Sequence, residues 1–498
     1  MYRLISLLTV LITLGCWSCH SNSSSDTASV GNTAAVETRK PNVLFILADQ
    51  FRAQATGYRG DPNLVGKTPN LDRMAAHGAS FKNAISVTPV CTPYRAALMT
   101  GQYPTTTGMI FNDLHLPDTA VTMAEIFKDA GYKTGYIGKW HLDGMGRFAF
   151  TPPKRRQGFE YWKALECSHD YNNMIYYEGT NDEPQEREGY STYGETEDAI
   201  SYITNNADAD DPFLMVLAWG TPHFPHDSAP EELKKEFPKE EIILRDNVPE
   251  ELRDRAREES VGYYAHIIAI DKCLGDIQTA LEEAGIADNT IVVFTADHGE
   301  MMGSQGVTPK QKQVPWIESV NIPFIVQYPA KLGEKKIRIE APINVPDVLP
   351  TLLSLSDITI PEFIEGESMA DVITNPEQAV DKAALVINVS PFARKNDDEY
   401  RGIYTDRYAY VKNLEGPWLL FDHDKDSLQM NNLVGKPGYE DLQQEMEVKL
   451  QAELDRIGDE FRPRDYYIEK WDYELTEGGY ISYGKNAPSQ GPGMVKKN

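Results

Sequence analysis

Four clusters of ionisable side chains each follow a short apolar run. Asp49-Gln50 follows "NVLFILA", and Lys139-Trp140-His141 follows "TGYIG". Thr221-Pro222-His223 follows "FLMVLAWG", and Asp297-His298-Gly299-Glu300 follows "TIVVFTA". Asp49, Gln50 and Asp297 offer hard oxygen ligands that suit calcium or magnesium. His298 is either a marginal ligand, since imidazole prefers softer metals, or a hydrogen-bond partner of the substrate. Lys139, His141, His223 and a lysine in "TPKQKQVPWIES" add positive charge and protons. A divalent cation among such groups suits an oxyanion, a sulfate or a phosphate ester. Taken alone, each cluster has a plain reading as a helix cap, a solvated loop or a turn. Four at strand ends together point to a site.

A fifth stretch, Cys91-Thr92-Pro93-Tyr94-Arg95, precedes the helix-like "RAALMTG". Cys91 is open to four readings: a structural thiol, half of a disulfide, a metal ligand or a nucleophile. Of five cysteines, Cys16 and Cys19 lie near the N-terminus, which leaves Cys91, Cys167 and Cys273 without CxxC spacing. That excludes a zinc-thiolate pattern and a disulfide framework, with a single Cys167–Cys273 bond left open. A helix N-terminus favours an anionic nucleophile.

The elements that must position these groups alternate. "NVLFILA", "KTGYIG", "PFLMVLAWG", "TIVVFTA" and "IPFIVQYP" read as strands buried on both faces. Helices are expected at "NLDRMAAHG", at Val121 to Gly131 and at Ile267 to Gly285. The pattern predicts an α/β fold: a large, mostly parallel sheet sandwiched by helices, with ligands beyond the strands' carboxyl ends. Residues Ala149 to Asp210, rich in aromatics and charge, read as a long excursion from the sheet. After about Ile387, "YRGIYTDRYAYVKN", "PWLLFDHD" and a helix from Tyr439 to Ile457 predict a smaller C-terminal α+β domain. "TEGGYISYGKNAPSQGPGMVKKN" reads as a mobile tail. The expected division is 1–15 leader, 16–40 tether, 41–386 catalytic domain and 387–498 C-terminal subdomain and tail.

Across 498 residues, 41% are hydrophobic and 25% charged, the balance of a soluble globular protein. A net charge of −27 excludes general nucleic-acid binding, because a phosphate backbone needs clustered Lys and Arg. Met1-Tyr2-Arg3 and the apolar Leu4 to Gly15 read as an export signal too short to span a bilayer. Cys16 after Leu14-Gly15 resembles a bacterial lipoprotein cleavage site. The expected location is therefore exported: periplasmic, or anchored to the outer membrane of a Gram-negative cell by a lipid.

Cys91-Thr92-Pro93-Tyr94-Arg95 and the following "LMTGQYPTTTG" resemble the Cys-x-Pro-x-Arg signature of type I sulfatases, of the alkaline-phosphatase-like superfamily. "LADQ", "GKWH", "TPHFP", "TADHGEMMG", "KQKQVPWIESVNIPFIV" and "WLLFDHDKDSLQMNNL" match that family in order, from about Pro41 to Ile457. Tyr94 stands where Ser is usual, and Gln50 where Asp is common. The resemblance implies that a maturation enzyme oxidises Cys91 to formylglycine (3-oxoalanine), whose hydrated aldehyde is the nucleophile. It implies calcium held by Asp49, Gln50, Cys91 as formylglycine, Asp297 and His298, with Asp297 accepting the proton of the attacking hydroxyl. Arg95 would hold the gem-diol, while Lys139 and Lys312 would neutralise sulfate. His223 would protonate the leaving oxygen with Lys312 assisting, and His141 would deprotonate the second hydroxyl and expel sulfate. Lys312 is preferred to Lys310 for its spacing to Trp316.

The implied activity is hydrolysis of O-sulfate esters on glycans. A phosphonate monoester or phosphodiester hydrolase on the same scaffold is the alternative, since both transfers need similar charge stabilisation. His169, His226 and Arg147 are expected to contact the sugar. Lys154, Arg155 and Arg156 read equally as contacts to further anionic groups or as a solvated patch. Tyr161, Trp162, Tyr171, Tyr176, Tyr177, Tyr190 and Tyr193 either stack on sugar rings or pack the excursion.

Overall fold

A computed structural model of the chain describes residues 39–378, 380–389 and 399–484. The expected leader, and the tether up to residue 38, lie outside the described residues. Among those described, no helix is long and apolar enough to cross a membrane.

The runs expected as strands form the middle of a ten-stranded sheet. Thr290–Ala296, Asn42–Asp49, Phe213–Pro222, Lys133–Lys139 and Tyr161–Leu165 lie side by side in that order, all parallel. Asn42–Asp49, Phe213–Pro222 and Thr290–Ala296 are buried along their whole length. Sheets covered on both faces demand such unbroken apolar runs. Phe324–Gln327 closes one side antiparallel, so "IPFIVQYP" is an edge-ward return strand.

Register does the positioning. Ala48 lies opposite Ala296, so Asp49 and Asp297 emerge together, and Asp49 lies opposite Pro222, just before His223. Gly138, with φ of +96°, lets the next strand end reach Lys139. A Cβ there would sit 2.1 Å from the Ala218 carbonyl oxygen, and only glycine avoids that clash.

The helix after the fifth cluster spans Cys91–Thr100 and ends at Gly101, whose φ of +68° suits a C-terminal cap. Every residue of it is buried, including Arg95. Two other expected helices appear as Pro69–Ala76 and Met123–Asp129, the second closed by a Thr122–Glu125 capping box. The helix expected from Ile267 begins much earlier and spans Glu250–Glu283. Its first turns, "EELRDRAREES", are mostly charged and touch the core only through Leu252, Ala256 and Ser260, too thin a stripe to read as a helix. Glu250 and Glu251 at the positive end of the helix dipole support them instead.

The excursion does not leave the sheet. Tyr161–Leu165, Ile175–Glu178 and Gln185–Glu186 extend it, and Ser191–Asn206 is a helix. Trp162, Tyr171, Tyr177 and Tyr190 are buried; Trp162 packs against Tyr136, and Tyr171 donates to the Gly220 carbonyl. Packing is the role these aromatics have.

The C-terminal part is an antiparallel sheet of Ala384–Asn388, Tyr400–Tyr404, Tyr408–Asn413 and Gly416–Asp422. The expected division after residue 386 falls within its first strand. Helix Glu440–Ile457 buries Met446, Leu450 and Leu454, one turn apart, on a single stripe. Of the expected mobile tail, residues 476–484 are described and held down: Leu475 bridges Ile481, and the Gly484 amide donates to the Gly144 carbonyl at 2.8 Å; the rest of the tail lies outside the described residues.

Candidate active site

Strand ends and the buried helix bring Asp49, Cys91, Asp297 and His298 together. One ligand atom from each lies within 4.8 Å of all the others. Cys91 Sγ is 3.7 Å from Asp49 Oδ1 and 3.4 Å from His298 Nε2. Arg95 Nη2 donates to Asp49 Oδ2 at 3.2 Å and to Asp297 Oδ2 at 3.3 Å, while Nη1 donates to the Lys139 carbonyl at 2.6 Å. Lys139 Nζ lies 2.5 Å from Asp49 Oδ2 and 3.4 Å from Cys91 Sγ.

The donor set fits a hard divalent cation. Two fully buried carboxylates face each other across Arg95, and repulsion between them favours a bound cation. His298 Nδ1 donates to the Gly299 carbonyl, which turns Nε2 toward the carboxylates. Burial and then Lys312 push His298 down to about 4, against the pull of Asp297 and Asp49, so the ring is neutral and able to ligate. Burial alone would raise the Asp49 carboxyl, but Lys139, His223, Arg95 and His298 hold it well below the usual carboxylate range. Gln50 is oriented by Glu300, which accepts from its amide nitrogen. Its oxygen is thereby left facing Lys312 Nζ at 3.0 Å. Glu300 also accepts from the Met302 and Lys310 amides. Its role as the clamp on Gln50 was not foreseen from sequence.

Of the two lysines, Lys312 enters the site. Its Nζ is 2.8 Å from His223 Nε2 and 3.9 Å from Cys91 Sγ, whereas Lys310 pairs with Glu259 at 2.7 Å. His223 Nδ1 donates to the Phe224 carbonyl at 2.8 Å, so Nε2 accepts from Lys312. Burial and then Lys312 hold His223 well below its ordinary value. In this pair the proton sits on Lys312.

His141 Nε2 meets Asp113 Oδ1 at 2.8 Å, a partner with no motif to announce it. Glu166 accepts the Leu142, Asp143 and Gly144 amides and fixes the loop behind His141. His169 stacks on His223 with centroids 4.5 Å apart. The other two expected sugar contacts already hold internal carboxylates. His226 is only 1% exposed, bonded to Glu259 and packed against Tyr263. Arg147 spends its guanidinium on Asp113. Arg155 binds Asp143, and Arg156 is buried over Trp162. Cys167 and Cys273 are free buried thiols, so no bond joins them.

Comparison with known proteins agrees with this arrangement. Residues 41–358 match the Sulfatase family model, and 310–456 match that of the N-sulphoglucosamine sulphohydrolase C-terminal region. An ulvan-active sulfatase of Formosa agariphila is 51% identical over 454 residues, covering 91% of this chain and 87% of that one. A putative sulfatase, yidJ, of Bacteroides fragilis superposes with a TM-score of 0.77 at 30% identity, covering 88% of this chain and 100% of that one. A phosphonate monoester hydrolase of Agrobacterium radiobacter shares the fold with a TM-score of 0.69 at 21% identity, covering 89% of this chain and 99% of that one. Fold and site thus define the alkaline-phosphatase-like class of α/β enzymes. The chain belongs to the sulfatase family and is an enzyme of it.

Proposed function

We propose that this sulfatase removes O-sulfate groups from a sulfated polysaccharide of the ulvan kind, with Cys91 matured to formylglycine and calcium as its metal. One observation carries the reading: a buried thiol and a four-donor metal set lie within reach of Lys139 and Lys312. The substrate class is supported by the ulvan-active relative, similar over nearly the whole chain.

Bound calcium would supply positive charge to a sulfate oxygen, held by Asp49, Asp297, the Gln50 oxygen, His298 and residue 91. This chain's own residues do the rest. Arg95 fixes both carboxylates in one orientation. Lys139 and Lys312 carry the charge that draws an anionic ester into a strongly acidic protein. The Lys312–His223 pair holds the proton destined for the leaving sugar oxygen. His141, held by Asp113, is the base. The signal-like N-terminus supports export, with a lipid on Cys16 as the membrane attachment and a maturation enzyme as a partner.

Purified matured enzyme should desulfate defined ulvan oligosaccharides, lose that activity to a calcium chelator, and recover it with calcium. Parallel assays on phosphodiesters and phosphonate monoesters decide between chemistries. A preference for phosphorus esters would replace this reading with the other hydrolase. Peptide mass analysis across Cys91 to Arg95 reports the modification directly.

A further inference from the structure

Asp113 holds one nitrogen of His141 and leaves the other alone. Its backbone has φ of +65°, and its amide donates to Thr92 Oγ1 at 3.1 Å, next to Cys91. Oδ1 accepts from His141 Nε2 at 2.8 Å and from Arg147 Nε at 3.3 Å, while Oδ2 accepts from Arg147 Nη2 at 3.2 Å. Arg147 Nε also reaches the Tyr483 hydroxyl at 3.1 Å. Tyr483 belongs to the C-terminal arm that Gly484 pins to Gly144. His141 is only 1% exposed, and its Nδ1 is buried without a partner among the described residues.

A neutral imidazole has one N–H, and an ionised carboxylate only accepts. Burial would push the Asp113 carboxyl up, but His141 and Arg147 outweigh it and hold it well below the usual range. The ring therefore keeps its proton on Nε2 and its lone pair on Nδ1.

We infer that Asp113 is the positioning residue of His141, fixing its tautomer so that Nδ1 is the basic atom, and that Arg147, braced by Tyr483, holds Asp113 in place. Two elements far apart in sequence would then finish one side of the site. The use of Nδ1 in turnover rests on the proposed sulfatase mechanism. The tautomer does not, and the two are read separately.

Nitrogen-15 imidazole spectra of the full-length protein, with the His141 signal assigned by His141→Gln, read the tautomer without any turnover. The expected result is an Nε2–H tautomer in the wild type that becomes mixed in Asp113→Ala. In the matured enzyme, Asp113→Ala should lower kcat about 10²- to 10⁴-fold with KM changed less than about threefold. Asp113→Glu should restore part of it, and Arg147→Met should cost about tenfold. Should Asp113→Ala fail to fold, the near-isosteric Asp113→Asn takes its place in both measurements, with the same mixed tautomer expected. A wild-type proton on Nδ1, or an unchanged tautomer in the variant, overturns the proposal. An Asp113-dependent tautomer in a protein that turns over no sulfate ester would uphold the positioning and sink only the sulfatase mechanism.

Discussion

Two arginines in this molecule are completely buried against aspartate, and they are built to opposite ends. Arg401 joins the C-terminal sheet to Asp459: Nε and Nη2 donate to its carboxylate, Nη2 also to Tyr467, and Nη1 to the Asn388 and Tyr400 carbonyls. One cation meets one carboxylate, and every donor group is used. Arg95 faces two carboxylates, shares Asp49 with Lys139, and leaves its own Nε without a partner among the described residues. A closed pair stabilises; an open one, with two carboxylates, a thiol and a histidine crowded together, stores electrostatic demand for a ligand. Burial of charge alone does not mark a site; an unfinished cation shared between two carboxylates, beside a thiol and a histidine, does.

The largest test of that contrast is Cys91→Ala, which should lower turnover by more than about 10⁴-fold, since a covalent route loses its nucleophile. Its unfolding midpoint should stay near the wild type, because only one sulfur is removed; undiminished activity would sink the mechanism. Next comes a crossed pair. Arg95→Lys should cut kcat about 10²- to 10³-fold with a modest change in stability, as the forked grip on two carboxylates is lost. Arg401→Met should cost about 3–5 kcal/mol in denaturant unfolding while leaving kcat/KM unchanged. If both variants act alike, the distinction between closed and open pairs fails.

Calcium in large excess should stabilise the wild type by about 3 kcal/mol in thermal or denaturant unfolding. Asp297→Asn should show little of that gain, and equal stabilisation of both would place the ion elsewhere. The smallest effect concerns Glu195, buried with one oxygen unpartnered and pushed up to about 8, chiefly by burial. A carboxyl raised in the folded state favours folding fully below the unfolded value near 4.5, and that favour is lost as pH rises toward 8. Glu195 should therefore contribute a loss of stability as pH rises from 5 to 8, and Glu195→Gln should flatten that part of the decline. A parallel slope in both proteins would refute it.

Much of the site was legible because it sits on period and punctuation. Asp49, Lys139, His223 and Asp297 end apolar runs that have only one way to be strands, and parallel register delivers them to one edge. Lys312 was separated from Lys310 by a spacing to Trp316 that matches the sulfatase pattern, and the structure places it beside His223. The roles of Asp113, Glu300, Glu166 and Tyr483 were not legible, because each acts through hydrogen bonds made from a loop or the terminal arm, which leave no period in the sequence. His226 and Arg147 show the converse. Their types suit a sugar, but internal carboxylates, Glu259 and Asp113, claim them first. Of the two readings open to the excursion's aromatics, packing holds for Trp162 and Tyr171, which answer to Tyr136 and Gly220 inside the fold.

Cys91 is 2% exposed, and Tyr94 and Arg95 beside it are fully buried. That imposes an order of events on the life of the chain. Under the proposed maturation, a catalyst that alters Cys91 would need this segment exposed, which would place the modification on the newly made polypeptide and not on the finished enzyme. Folding would then work as a deadline: a molecule that closed first would bury its thiol unaltered.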